Sequence, residues 1–149
     1  AGNLFPASFT KQGFLSEHEP LLFYAPGLLQ PQKISKVASQ LDILPSIASL
    51  TKHSHSNTTL GRNLFDTTDQ RQKYAFIADP EMNTIALVTE KYYYSRSLIN
   101  NDVNFVSVTD NNPVPKNSYT DSVKNEMDIL VQAWHETSKY LLLNNKKNN

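Results

Sequence analysis

The sequence predicts an α/β fold made of a buried strand from a parallel or mixed sheet, a small antiparallel sheet, and a long closing helix. Three observations carry that prediction. Residues 20 to 25, "PLLFYA", are a continuous apolar run stopped by Pro26-Gly27, the pattern of a strand buried on both faces. Residues 72 to 79 and 84 to 96, "QKYAFIAD" and "TIALVTEKYYYSR", are rich in β-formers and separated by "PEMN". From Asp121 onward, Val123, Met127, Leu130, Trp134 and Leu141 make one stripe of an amphipathic helix.

The elements follow in order. Residues 1 to 19 read as loop, and "AGNLFPASFTKQGF" reads as a chain entered in mid-sequence, without a secretory leader. Pro20 suits the first position of the strand, where no ladder N–H is needed. In "DILPSIASL", Asp42 suits an N-cap and Pro45 the first helical turn, and Ile43, Leu44, Ile47 and Leu50 recur at helical spacing. A helix is expected over 43–50. "TKHSHSNTT" is polar loop, and Gly61 in "LGRNLF" marks a turn. The two β-rich segments predict a hairpin. In the second, Ala86, Val88 and Glu90 alternate with Ile85, Leu87 and Thr89, so one face is expected to be partly wet. "NFVSVTD" is a third short strand, "NNPVPKNS" breaks the chain, and Thr120 or Asp121 caps the last helix. A lone interior strand has nothing in this chain to cover its two faces, so it reads as part of a larger sheet.

Composition narrows the function. The 149 residues suit one domain or a large piece of one. Lys+Arg and Asp+Glu each number 14, so there is no basic excess for nucleic-acid phosphates and no long-range pull toward an anionic membrane. With no cysteine, disulfides, zinc-thiolate sites and thiol catalysis are excluded. No apolar run approaches the ~20 residues of a spanning helix.

Three segments, "HEPLLFYAPG" (18–27), "ASQLDILPSIASL" (38–50) and "LGRNLF" (60–65), together carry a family resemblance. In order and spacing they resemble the C-terminal part of the sulfatase-like domain of the alkaline-phosphatase superfamily. The branch they most resemble holds lipoteichoic acid synthase and the bacterial phosphoglycerol and phosphoethanolamine transferases. The match covers roughly residues 14 to 66, and the later strands and helix agree by pattern only. The resemblance implies an α/β fold: the C-terminal portion of a mixed, mostly parallel sheet flanked by helices, plus a small antiparallel sheet packed on a long C-terminal helix. Residues 1–66 would belong to the sulfatase-like core, and 67–149 to the small sheet and closing helix.

The resemblance also implies metal-dependent chemistry. A threonine, or a modified cysteine or serine, attacks phosphorus or sulfur beside a divalent cation (Mn, Mg, Zn or Ca). The nucleophile and early acidic ligand of that pattern fall upstream of Ala1. The pattern's Asp-His pair should precede "HEP", yet no Asp-His dipeptide occurs in the chain. The chain alone is therefore expected to be inactive and to bind no metal.

His18 is the one active-site residue the resemblance carries over, as a substrate-binding N–H donor to phosphoryl or sulfuryl oxygens. The bland reading is an exposed histidine between Glu17 and Glu19. His53 and His55 lack the converging ligands a metal needs, and His135 reads as helix surface. "KYYYSR" offers stacking rings, but alternation splits Tyr92 and Tyr94 from Tyr93, which favours packing under the last helix. Gly61 and Arg62 read as a turn and an ion pair, at the surface or between elements. The sequon at Asn57 is a weak signal. The partners implied are the remainder of the parent catalytic domain and a lipid headgroup or sulfate or phosphate ester. No nucleic acid is expected, and self-association through exposed apolar edges is. The implied location is the periplasmic or extracytoplasmic face of a bacterial inner membrane. A non-catalytic binding or interaction module derived from the same fold is the rival reading.

Overall fold

A computed structural model describes residues 18–51, 56–68 and 74–144. The chain divides into two compact units, Ala1–Ile34 and Ser35–Asn149.

In the first unit, the expected turn is present at Pro26-Gly27. Gly27 has φ of +86°, a conformation that favours glycine, and the amides of Leu28 and Leu29 both donate to the carbonyl of Ala25 (3.1 and 2.9 Å). The run before it is not an interior strand here. Residues 20–25 are neither helical nor laddered, and Leu22 and Tyr24 are 84% and 85% exposed. A strand exists only through its neighbours' hydrogen bonds, and the run 20–25 is not one of the strands of the described sheet.

The second unit opens with a 3-10 turn, Gln40–Asp42, running into helix α1, Ile43–Leu50. The helix lies where its spacing predicts. Asp42 stands at the N-cap, but its carboxylate makes no cap bond to α1. The apolar stripe does not turn inward either: Leu44 is 65% exposed and Ile47 is exposed, while Pro45 and Ser46 are buried. The reason is local. Ser46 Oγ donates to the carbonyl of Asp42 (2.6 Å) and accepts from the amide of Leu64 (2.9 Å), which turns this side of the helix toward the returning chain.

Four strands follow: β1 (Ala75–Asp79), β2 (Thr84–Val88), β3 (Tyr92–Ser97) and β4 (Val103–Ser107). They form one antiparallel sheet in the order β1-β2-β3-β4. Phe76 sits opposite Leu87, Leu87 opposite Tyr94, and Tyr94 opposite Phe105. The expected hairpin is β1–β2. The 84–96 segment is two strands, however. Thr89 accepts from the amides of Lys91 and Tyr92 through Oγ1 (3.2 and 2.9 Å), and its own amide donates to the carbonyl of Tyr92 (2.8 Å). Such a hydroxyl-closed turn needs no glycine or proline, so β-former composition runs through it unbroken.

Helix α2, Ser118–Asn144, packs across β1, β2 and β3. It begins three residues before Asp121, because Asn117 is the cap. Asn117 Oδ1 accepts from the amides of Tyr119 and Thr120 (both 3.0 Å), and Thr120 Oγ1 accepts from the amide of Asn117 (2.9 Å). The core is Ile85, Leu87 and Tyr94 from the sheet with Met127 and Val131 from α2. Val123 and Leu130 border it, and Trp134 stacks on Phe76 at 5.8 Å. Burying each of the large core side chains contributes about 1.5–3 kcal/mol.

The sheet face away from α2 is partly wet, as expected: Ala86, Tyr93 and Val106 are buried there, Thr84 and Val88 are half-buried, and Asn104 and Glu90 are exposed. Ala86 lies between Ile77 and Ser95, and Val88 between Ala75 and Tyr93, so cross-strand neighbours shield the central strand.

Candidate functional site

The best-built polar site of the second unit joins two segments twenty positions apart. The Asp42 carboxylate is buried and receives four donors. Arg62 Nη2 and the amide of Arg62 reach it at 2.9 and 2.8 Å, the amide of Ser39 at 2.9 Å, and Arg62 Nε at 3.3 Å. Arg62 Nη2 also reaches the carbonyls of Val37 (3.3 Å) and Tyr74 (3.2 Å), tying the α1 segment to the lead into β1. Gly61 permits this approach: a Cβ there would sit 1.8 Å from the carbonyl oxygen of Leu41. Asn57 holds the loop entering Gly61, donating from Nδ2 to its carbonyl (2.7 Å) and accepting from the amide of Thr59 (3.0 Å). The Gly61-Arg62 turn and ion pair are thus present, between elements. Arginine suits the site because its planar fork spans two carboxylate oxygens and still has N–H groups to spare.

A second cluster bridges sheet and helix. Asp128 Oδ1 on α2 accepts from the phenol of Tyr94 (2.6 Å) and from Arg96 Nη1 (2.7 Å), while Arg96 Nη2 donates to Asn101 Oδ1 (3.0 Å). Nearby, the phenol of Tyr74 donates to Glu126 Oε1 (3.0 Å). Burial, then the neighbouring Glu126, pushes the Tyr74 phenol up to about 12. Burial and then Asp128 push the Tyr94 phenol up as well. The bond to Asp128 raises the Arg96 guanidinium. These phenols stay protonated as donors and are poor nucleophiles; the cluster clamps α2 to the sheet.

Sequence reasoning missed Asp128, Arg96, Tyr74 and Glu126. One signal was available: Arg96 shares the inward parity of Tyr92 and Tyr94 on β3, and a charge on a core-facing register requires a partner. The triple tyrosine divides as alternation predicts, with Tyr94 under α2 and Tyr93 buried on the other face.

His18 lies in the first unit, exposed, on non-helical backbone just ahead of Pro20. His53 and His55 fall outside the described residues. His135 is half-buried on α2. Among the described residues, no three of His, Asp or Glu converge to hold a metal, and the Asp42 and Asp128 carboxylates are already engaged by guanidinium groups. Neither protein-family models, nor curated proteins, nor solved structures give a significant match to this chain.

Proposed function

We propose that this chain is the C-terminal segment of a metal-dependent, sulfatase-like phosphoryl or sulfuryl transferase or hydrolase acting at the outer face of a bacterial inner membrane. Residues 20–25 would enter its mostly parallel sheet. His18 would bind the oxyanion of a lipid headgroup or of a sulfate or phosphate ester. The nucleophile and metal ligands would come from the rest of that domain. The observation that supports this reading best is the Asp42–Arg62 pair. It locks two of the three resemblance segments together through the aspartate of "SQLDILPS" and the arginine of "LGRNLF". The exposure of Leu22, Tyr24, Leu44 and Ile47 also suits surfaces that a larger domain covers.

The test joins the chain to its upstream coding sequence. That sequence should encode a threonine nucleophile and an Asp-His pair. The joined product should hydrolyse p-nitrophenyl phosphate, p-nitrophenyl sulfate or a fluorescent phosphatidylglycerol when given Mn²⁺, Mg²⁺ or Zn²⁺, while this chain alone should not. His18→Ala should lower kcat by about 100-fold or more, the usual loss on removing an oxyanion donor. Full activity in His18→Ala, or metal-dependent turnover by the isolated chain, defeats the proposal. The same exposed apolar residues favour a second reading, a non-catalytic interaction module. An upstream stop or unrelated domain selects it.

A further inference from the structure

We propose that the edge of strand β1 pairs antiparallel with β1 of a second copy, joining two four-stranded sheets into one. The ladder fixes which groups face outward. The amide of Leu98 donates to the carbonyl of Asn83 and the amide of Thr89 to that of Tyr92 (both 2.8 Å), so Ile85 and Leu87 turn their backbone groups toward β3. Thr84, Ala86 and Val88 therefore bond to Asp79, Ile77 and Ala75, and the N–H and C=O groups of Phe76 and Ala78 point away from the sheet. Among the described residues, none donates to them or accepts from them. The opposite edge is covered from Phe105 to Ser107. The amide of Val114 donates to the carbonyl of Phe105 (3.2 Å), the amide of Ser107 to the carbonyl of Asn112 (3.0 Å), and Val106 bridges to Pro113. With that edge covered, pairing closes at two copies instead of running on into a fibre.

The open stretch of β1 has defined ends. The carbonyl of Tyr74 already accepts from Arg62 Nη2 (3.2 Å), and Pro80 has no N–H to offer. Between them, the open groups are symmetric about Ile77. A two-fold axis at Ile77 sets Phe76 opposite Ala78 of the second copy. Every open group is then paired without calling on Tyr74 or Pro80, and Asp79 falls opposite Ala75, so no like charges meet across the seam. A second copy also brings a strand that is already extended, whereas a flexible peptide would lose conformational freedom on pairing.

This pairing stands apart from the catalytic proposal. Failure of one leaves the other untouched, because strand pairing needs neither His18 nor an upstream metal site. The experiment is sedimentation velocity of the purified chain over a wide concentration range. A monomer should pass to a dimer, with no larger species. In amide hydrogen exchange, Phe76 and Ala78 should slow about tenfold or more from dilute to concentrated samples, and Ile77, already in the ladder, should change less. Ala78→Pro removes an N–H that the monomer does not use, and Ala78→Lys places a charge on the edge. Each should weaken dimerisation about tenfold or more, with unchanged circular dichroism. A monomer throughout, growth beyond the dimer, unslowed Phe76 and Ala78 amides, or undiminished dimerisation by the folded variants overturns the proposal. The exchange measurement uses the unaltered chain, so it decides the matter even where a variant fails to fold.

Discussion

Replacing Arg62 with alanine tests the central polar connection of the second unit. The substitution removes the guanidinium bonds to Asp42 and those to the carbonyls of Val37 and Tyr74. It leaves a carboxylate whose side chain is 2% exposed. Breaking one partner out of a buried pair costs about 3–5 kcal/mol. Two backbone donors, from Ser39 and residue 62, still reach Asp42, and the Arg62 side chain is itself 19% exposed. Both facts pull the cost to the lower end, about 3 kcal/mol. Lysine keeps the charge but not the fork, so Arg62→Lys should lose about half as much. Urea unfolding followed by Trp134 fluorescence should show a midpoint fall of about 1–2 M for Arg62→Ala. Hydrogen exchange over α1 should accelerate more than exchange at Leu87 or Val131. A loss under about 0.5 kcal/mol, the usual scale of a surface substitution, would show that the guanidinium is dispensable. Full tolerance of lysine would refute the role given to its planar geometry.

Gly61→Ala should be at least as damaging, about 3 kcal/mol or more, because the new methyl meets the Leu41 carbonyl rather than a movable side chain; wild-type thermal stability would contradict it. Alkaline titration supplies another check. Tyr74 holds its proton more tightly folded than unfolded, so the stability it contributes is whole below pH 10 and drains as pH rises from 10 to about 12. Absorbance at 295 nm should show Tyr74 and Tyr94 ionising late, and Tyr94→Phe should remove one of these late steps. Ionisation of all the tyrosines near pH 10 would contradict the buried phenol–carboxylate pairs.

Legibility in the sequence followed how local each signal is. Helix α1 lies at its expected residues because Pro45 and the spacing of Ile43, Leu44 and Ile47 are neighbours in the chain. The start of α2 was misplaced because Asn117 sits among prolines and polar residues that read as a breaker, although an Asn cap with Thr three positions on is a local motif. The 84–96 segment hid its turn because Thr89 closes it with a hydroxyl, and threonine is also a strand former. For the candidate site, the sequence pointed to Gly61 and Arg62 as a turn and an ion pair. It did not single out the Tyr94–Arg96–Asp128 cluster, whose members are paired only when α2 lies on the sheet.

By itself the sequence determined helix α1, the β1–β2 hairpin, the closing helix, the turn at Pro26-Gly27, and the absence of thiols from this chain, but not the state of 20–25 or the turn inside 84–96. The features it determined depend on residue type and short-range spacing, which survive without a fold. The tertiary structure alone decided which faces are buried. It took Ala86 out of water, left Leu44 facing it, and brought Arg62 to Asp42 from twenty positions away. Burial and ion pairing depend on what the folded chain sets beside a residue, and a one-dimensional pattern does not contain that neighbour.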